Sequence, residues 1–112
     1  MDLPNETPTP SGTIRINRLR ASWRDTGRAY QALVDETPAG KVGDGQSIDL
    51  AISLGQHEVK MKVDWRYSNR VVVWVDSSRV TLMECAPDTD ARGLVDVLFP
   101  KGPYIELYVV SG

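Results

Sequence analysis

The chain has 112 residues but only one cysteine, one histidine and one phenylalanine, and it has no long uninterrupted apolar run. A lone cysteine, Cys85, excludes an internal disulfide, so the fold must depend on its core and its strand pairing. A reducing compartment suits such a chain, and we expect a cytoplasmic protein. The missing apolar run predicts no transmembrane span. The lone histidine, His57, excludes paired-histidine metal sites, and we take it also to exclude a His-based triad.

Composition places the chain among ordinary globular proteins. Apolar residues make up 41% and charged residues 25%, which is the usual range for a folded domain, and the length suits one core. Three of the seven prolines lie in the first twelve residues with few apolar side chains. This predicts a disordered tail over residues 1–12 and a single domain over residues 13–112.

Alternation of apolar and polar residues is the main structural signal. Ile14 and Ile16 alternate with polar residues, as in a strand with one face inward. The longest alternation, residues 57–67, has five charged side chains on one face, and it predicts that Trp65 and Tyr67 point inward with the apolar set.

Other segments complete a chain of short strands. Asp44-Gly45 predicts a tight hairpin turn, because this pair readily adopts positive φ angles. Residues 71–76 are apolar on both faces, which predicts a central or covered strand. Residues 88–98 predict a short helix capped by Asp88 or Thr89. Further strands are predicted over residues 28–35, 39–43, 48–54, 79–85 and 104–110.

Short, evenly spaced strands without room for helical crossovers predict a sandwich or a partly open barrel. Five segments together resemble the PEGA-type β-sandwich domain of small bacterial proteins. They are Leu33-Val34-Asp35, Gly40-Lys41-Val42-Gly43, the strand over 48–54, Gly55-Gln56-His57-Glu58-Val59 and Val80 to Cys85. The resemblance implies an immunoglobulin-like or transthyretin-like sandwich that binds proteins or glycans and carries no catalytic residue. We therefore predict an antiparallel β-sandwich of seven or eight strands with one short C-terminal helix.

Aromatic side chains are the first candidate binding residues. Trp74, Tyr104 and Tyr108 fall opposite the apolar faces of their predicted strands. Exposed flat rings can stack on sugars or form a protein interface. The alternative is that the short helix covers them. We favour this cover for Trp74 and leave Tyr104 and Tyr108 open.

A basic segment is the second candidate. Residues 13–28 contain five arginines against one aspartate, with Trp23 beside Arg20 and Arg24 as a stacking partner for an anionic ligand. The alternative, which we favour, is the solvated face of an edge strand. An isoelectric point near 5.3 argues against a dedicated nucleic-acid domain.

For three further features we prefer a structural role to a functional one. His57 is expected to be a satisfied, partly buried side chain, with pH sensing as the alternative. Cys85 is expected to be a small packing residue. Asp35, Asp64 and Asp76 lie at strand ends, where they could form an acid–base or calcium site but more often satisfy turn amides.

The sequence thus predicts a non-enzymatic interaction module that binds a protein partner. The alternatives are carbohydrate binding through exposed aromatics and weak anionic-ligand binding by the arginine segment. No cofactor and no metal is predicted, nucleic acid is not an expected partner, and the chain is expected to be a monomer or a weak dimer.

Overall fold

A computed structural model describes residues 10–20, 27–87 and 105–111. These residues contain nine β-strands and no helix, so none of them could cross a membrane as a helix. The predicted helix over 88–98 and residues 1–9 of the predicted tail lie outside the described residues. Ser11 and Gly12 belong to β1, so the prediction of a disordered tail as far as residue 12 is wrong at its end. The strands are β1 (Ser11–Arg18), β2 (Tyr30–Val34), β3 (Thr37–Val42), β4 (Ser47–Ser53), β5 (Gly55–Val63), β6 (Arg66–Tyr67), β7 (Val71–Val75), β8 (Val80–Pro87) and β9 (Ile105–Ser111).

The strands form two sheets in a sandwich-like arrangement, which confirms the all-β prediction. The first sheet has the order β4-β1-β8-β9, and the second has the order β3-β2-β5-β6 with β7 also paired to β5. β6 and β7 lie along the same side of β5, because β2 occupies the other side. The nine strands exceed the seven or eight predicted because the predicted strand over 57–67 divides into β5 and β6.

Apolar side chains from both sheets meet between them. Ile14 and Ile16 of β1 are fully buried, as their alternation predicts. Cys85 is also buried, and burial raises the pKa of its thiol to about 12, so it is a packing residue as expected. The rest of the core consists of Tyr30, Ala32, Val34, Val42, Leu50, Val59, Met61, Val63, Val73, Val75, Met83, Ile105 and Leu107.

β1 is a central strand, not the edge strand that the arginine pattern suggested. It pairs antiparallel with β4 and parallel with β8. The prediction of a wholly antiparallel sandwich is therefore wrong at this pair. The parallel pair arises because the chain leaves the first sheet, builds β5 to β7 in the second, and re-enters beside β1 in the same direction.

The predicted long strand over 57–67 ends early. β5 stops at Val63, because Asp64 adopts a φ of 54° and reverses the chain into β6. Aspartate tolerates this left-handed conformation better than most residues. Trp65 then lies at the tip of the turn with 74% of its surface exposed, and Tyr67 is exposed as well. The prediction that both rings point inward is wrong.

The Asp44-Gly45 turn forms as predicted, with a φ of 69° at Gly45, but it does not close a hairpin. It carries the chain from β3 in the second sheet to β4 in the first. The tight hairpin lies earlier, where Asp35 and Glu36 both have positive φ between the paired residues Val34 and Thr37.

Candidate functional site

Among the described residues, β7 pairs only with β5 and therefore forms an open edge of the second sheet. Hydrogen bonds show which way its backbone faces. Glu58 of β5 exchanges bonds with Asp35 on the β2 side, while Met61 bonds with Ser68 on the other side. Alternation along β5 then turns His57 and Val59 toward β7. Since these residues are opposite Val73 and Val71, the backbone groups of Val72 and Trp74 point away from β5.

The side chains of Val72 and Trp74 are exposed on the outer face of this edge. Val72 has 58% of its surface exposed and Trp74 has 64%, whereas Val73 and Val75 are buried in the core. The prediction of a central or covered strand over 71–76, with Trp74 covered, is wrong. The strand is apolar on both faces because one face packs in the core and the other is an exposed apolar stripe.

Charged residues flank this stripe at both ends. Arg70 precedes β7, and its guanidinium lies 3.8 Å from a carboxylate oxygen of Glu58 and 3.9 Å from one of Glu36. Asp76 follows β7 and accepts hydrogen bonds from the backbone N–H and the hydroxyl of Ser78. The Ser78 N–H holds the pKa of the Asp76 carboxyl below its usual range, so Asp76 is an anion at neutral pH.

A second aromatic group lies at the far end of the same outer face. The Lys60 and Lys62 ammonium groups lie 4.5 Å and 5.6 Å from the centre of the Tyr67 ring. Tyr67 is opposite Lys62 on β5, whereas Trp74 is opposite Gln56, six residues away. This separation is about 20 Å. The two aromatic groups therefore do not form one patch.

The other predicted site residues do not join Trp74. Tyr108 lies on the outer face of the first sheet and donates a hydrogen bond to the Glu84 carboxylate, which raises the pKa of the phenol. Arg20 lies near Asp44, with 3.9 Å between the charged atoms. Trp23, Arg24 and Tyr104 lie outside the described residues.

The described arginines of the basic segment already have partners. Arg15 makes a two-point ion pair with Asp49, at 2.7 Å and 3.0 Å. Arg28 pairs with Asp64. Arg18 is buried, stacks 3.7 Å from the centre of the Tyr30 ring and donates to backbone carbonyls. This arrangement gives the anionic-ligand alternative no support.

A cleft of about 440 Å³ lies between the edge strands β3 and β4, with His57 and Asp35 in its wall. His57 Nδ1 is 2.5 Å from Asp35 Oδ2, and its Nε2 is 3.2 Å from the Ser53 hydroxyl. One histidine is thus enough to bring serine, histidine and aspartate together, so the assumption that a lone histidine excludes such a grouping is wrong.

The hydrogen bonds of His57 nevertheless argue against a working triad. Its Nε2 is only 2.7 Å from the Ser53 carbonyl oxygen, an acceptor, so this nitrogen carries a hydrogen. A serine nucleophile needs that nitrogen as a base. His57 therefore links the β2–β3 turn to the end of β4 and is a satisfied, partly buried side chain, as expected.

Asp35 contributes to the pH dependence of stability. Its carboxyl accepts the Glu58 N–H and contacts His57, and these bonds lower its pKa in that order. A carboxyl whose pKa is lowered by folding stabilises the fold above its unfolded-chain pKa of about 3.9, and this contribution is lost as the pH falls through the folded value. We expect Asp35→Asn to flatten the fall in unfolding free energy between about pH 5 and pH 2.

Urea unfolding across this pH range measures the effect, and Asp49→Asn is its matched control. Asp49 also has a lowered pKa, but its cause is the exposed ion pair with Arg15. One molar salt should reduce the Asp49→Asn effect by screening and leave most of the Asp35→Asn effect. Equal acid dependence in Asp35→Asn and the parent would contradict the assignment.

The three strand-end aspartates do not converge. Asp35 lines the cleft, Asp64 pairs with Arg28, and Asp76 bonds Ser78 in its turn. Among the described residues, no group of three or more histidine, cysteine, aspartate or glutamate side chains could hold a metal ion. The acid–base and calcium alternatives gain no support from this arrangement.

The fold and the exposed edge define a small all-β protein of two packed sheets with an apolar strand open at one side. Comparison with protein-family models, with curated proteins and with solved structures finds no match for this chain. Its function must therefore be inferred from its own geometry.

Sequence reasoning missed Val72 as a surface residue, although the sequence held a clue. Glu58, Lys60 and Lys62 occupy the outer face of the neighbouring strand β5, and Glu58 is directly opposite Val72. Charged side chains are almost never fully buried unless they are paired, and the buried one of the three, Lys60, pairs with Glu36, so this face is not covered by an apolar layer. The same face must therefore leave Val72 and Trp74 in contact with solvent.

Proposed function

We propose that this protein is a non-catalytic interaction module that binds a protein segment by strand addition at β7. The observation that carries the proposal is the exposure of Val72 and Trp74 on an edge strand whose backbone groups at these two residues face away from β5. Free backbone groups on an edge strand provide affinity for an extended peptide, and alternate side chains provide specificity.

The Trp74 side chain would act as the anchor of this contact. Large aromatic side chains dominate the energetics of protein interfaces when they become fully desolvated. Val72 extends the apolar area by one position along the strand, and Arg70 and Asp76 supply charges at its rim. The result is a short stripe with an apolar centre and polar ends, which is the usual anatomy of a binding surface.

Strand addition is favoured over sugar binding at β7 because Trp74 lies about 20 Å from Tyr67, the other exposed ring on the outer face of the paired strands. A single sugar ring could contact only one of them. Carbohydrate binding through Trp74 alone remains the alternative that the test must separate.

Selection of peptides from a displayed random library against the full chain tests the proposal. Bound peptides should alternate apolar residues and should shift the amide NMR signals of Val72 and Trp74. Val72→Pro removes the outward N–H without removing a bond to β5, because proline is tolerated where an edge-strand N–H faces solvent. We expect this variant to stay folded and lose peptide binding.

Lys41→Pro is the matched control. It removes an outward N–H on β3, the opposite edge of the same sheet, where the pairing with β2 uses the alternate residues. Peptide binding should survive this change. Failure to select any peptide, together with a Trp74 fluorescence response to a sugar panel, would overturn protein binding in favour of carbohydrate binding.

The finer fold class belongs with these proposals. We propose that the sandwich is of the immunoglobulin-like or transthyretin-like class and is PEGA-like, which the two packed sheets and the alternation over residues 48–63 support. We also propose that it acts in the cytoplasm, supported by the buried free thiol of Cys85.

A further inference from the structure

The stripe on the outer face of β7 is complementary in charge to a second copy of itself. Its residues in chain order are Arg70, Val72, Trp74 and Asp76, a cation, two apolar groups and an anion. When the same strand is laid alongside in the opposite direction, each end meets the opposite charge. Such self-complementarity is the requirement for a two-fold symmetric interface.

From this complementarity we infer that the partner of the β7 edge is a second copy of this chain. This inference rests on the proposed function of β7 as a strand-addition site and names its occupant. Two antiparallel β7 strands would join the second sheets of both copies into one continuous sheet. Its strand order would be β3-β2-β5-β7 from one copy, followed by the reverse order from the other.

Backbone geometry selects the pairing. The groups of Val72 and Trp74 face the open edge, so these residues must form the hydrogen-bonded pairs of the new ladder. With the two-fold axis at Val73, Val72 is opposite the second copy's Trp74, and Arg70 is opposite the second copy's Asp76. Each contact occurs twice. Aromatic pairs with β-branched residues and opposite-charge pairs are favourable across antiparallel strands.

The neighbouring registers lack this match. A shift of two residues in one direction puts Trp74 opposite the second copy's Trp74 and Val72 opposite its Asp76. The opposite shift puts Val72 opposite Val72 and leaves Asp76 facing Ser68. The register centred on Val73 alone pairs both charges with opposite charges.

No described strand pairs with the outer side of β7. In the described part of the chain, the hydrogen-bonded contacts of β9 with this edge are at Ser68 and at the side chain of Asn69, both before β7 begins, although β9 also runs close to β7. Gly12 closely approaches Asp76, since a Cβ on Gly12 would lie 2.6 Å from the Asp76 carbonyl oxygen, so β1 packs directly against this end of β7.

Sedimentation equilibrium of the full chain with two charge variants tests the inference. The parent should show a concentration-dependent dimer. Arg70→Glu and Asp76→Arg should each raise the dimer dissociation constant at least about tenfold, because each faces like charges twice across the interface. Mixed in equal amounts, the two variants should associate like the parent, since both contacts regain opposite charges.

Arg66→Glu is the matched control, because it makes the same charge change on the neighbouring strand β6 outside the stripe. It should dimerise like the parent. Recovery in the mixture also shows that both single variants are folded, so loss of folding cannot imitate the expected result.

Three outcomes would overturn the inference. A parent that stays monomeric, while selected peptides still shift the Val72 and Trp74 signals, would reject self-association and leave the proposed function standing. A dimer that tolerates both single charge variants would place the interface elsewhere. Two monomeric variants that fail to associate when mixed would reject the pairing of Arg70 with Asp76.

Discussion

Replacing Tyr30 by alanine is expected to lower the free energy of unfolding by about 3–5 kcal/mol. The ring is fully buried in β2, and the Arg18 guanidinium stacks 3.7 Å from its centre. Truncation would leave a cavity and would also remove the surface that the buried cation packs against. Urea unfolding followed by tryptophan fluorescence measures the loss.

Tyr108→Ala is the control of the same residue type. Tyr108 is exposed on the outer face of the first sheet and makes one hydrogen bond, to Glu84. Its removal should cost no more than about 1 kcal/mol. A Tyr30→Ala loss as small as this would show that the ring and the Arg18 stack do not support the core.

Replacing Asn69 by alanine is expected to lower the free energy of unfolding by about 2–4 kcal/mol. The Asn69 amide donates to the Leu107 carbonyl at 2.8 Å and accepts from the Leu107 N–H at 2.9 Å. It thereby imitates one pair of a β-ladder between the segment before β7 and the first half of β9. Alanine would leave two partly buried backbone groups without these partners.

Asn69→Asp separates hydrogen bonding from shape. The carboxylate keeps the acceptor for the Leu107 N–H but turns its second oxygen toward the Leu107 carbonyl. The destabilisation should be at least as large as that of alanine at pH 7 and should shrink as the pH falls through the carboxyl pKa, because the protonated acid can donate. Chemical unfolding at pH 7 and pH 4 measures both variants. We call the two hydrogen bonds between the Asn69 amide and the Leu107 backbone the Asn69 clamp. A pH-independent effect would contradict its role in stability.

The Asn69 clamp and the β7 edge belong to one corner of the sandwich. Ser68 forms a parallel bridge with Ile105, and Asn69 follows with its clamp on Leu107. These contacts join the two sheets at the start of β7, so the strand beyond them is held while its outer edge stays open. An edge strand that is already extended in the free protein loses less entropy when it binds, which favours strand addition at this position.

The candidate site could be predicted in part. The sequence identified Trp74 as a residue on the face opposite Val73 and Val75, and the structure confirms that orientation. It did not identify Val72 or the opposed charges of Arg70 and Asp76 as one stripe. Their importance depends on β7 lying at an edge, and no pattern within residues 70–76 distinguishes an edge strand from a central one.

The cluster of Asp35, Ser53 and His57 likewise depends on the tertiary structure. Ser53 and His57 are four residues apart, but Asp35 reaches them only because β2 lies beside β5 and ends in a two-residue turn. The contact is long-range in sequence. Only the folded chain shows that His57 Nε2 faces a carbonyl, which decides that the grouping is structural.

The sequence by itself determined which side chains of β1 and β5 enter the core. Ile14 and Ile16, and the alternate residues Val59, Met61 and Val63, are buried as their period of two requires, because the opposite register would bury charges. The conformation of the Asp44-Gly45 turn was also predictable, because it depends on adjacent residues. The tertiary structure alone decided which strands are neighbours, so that β1 is central and β7 is open. A strand's position in its sheet is set by the segments that lie beside it, and these come from distant parts of the chain.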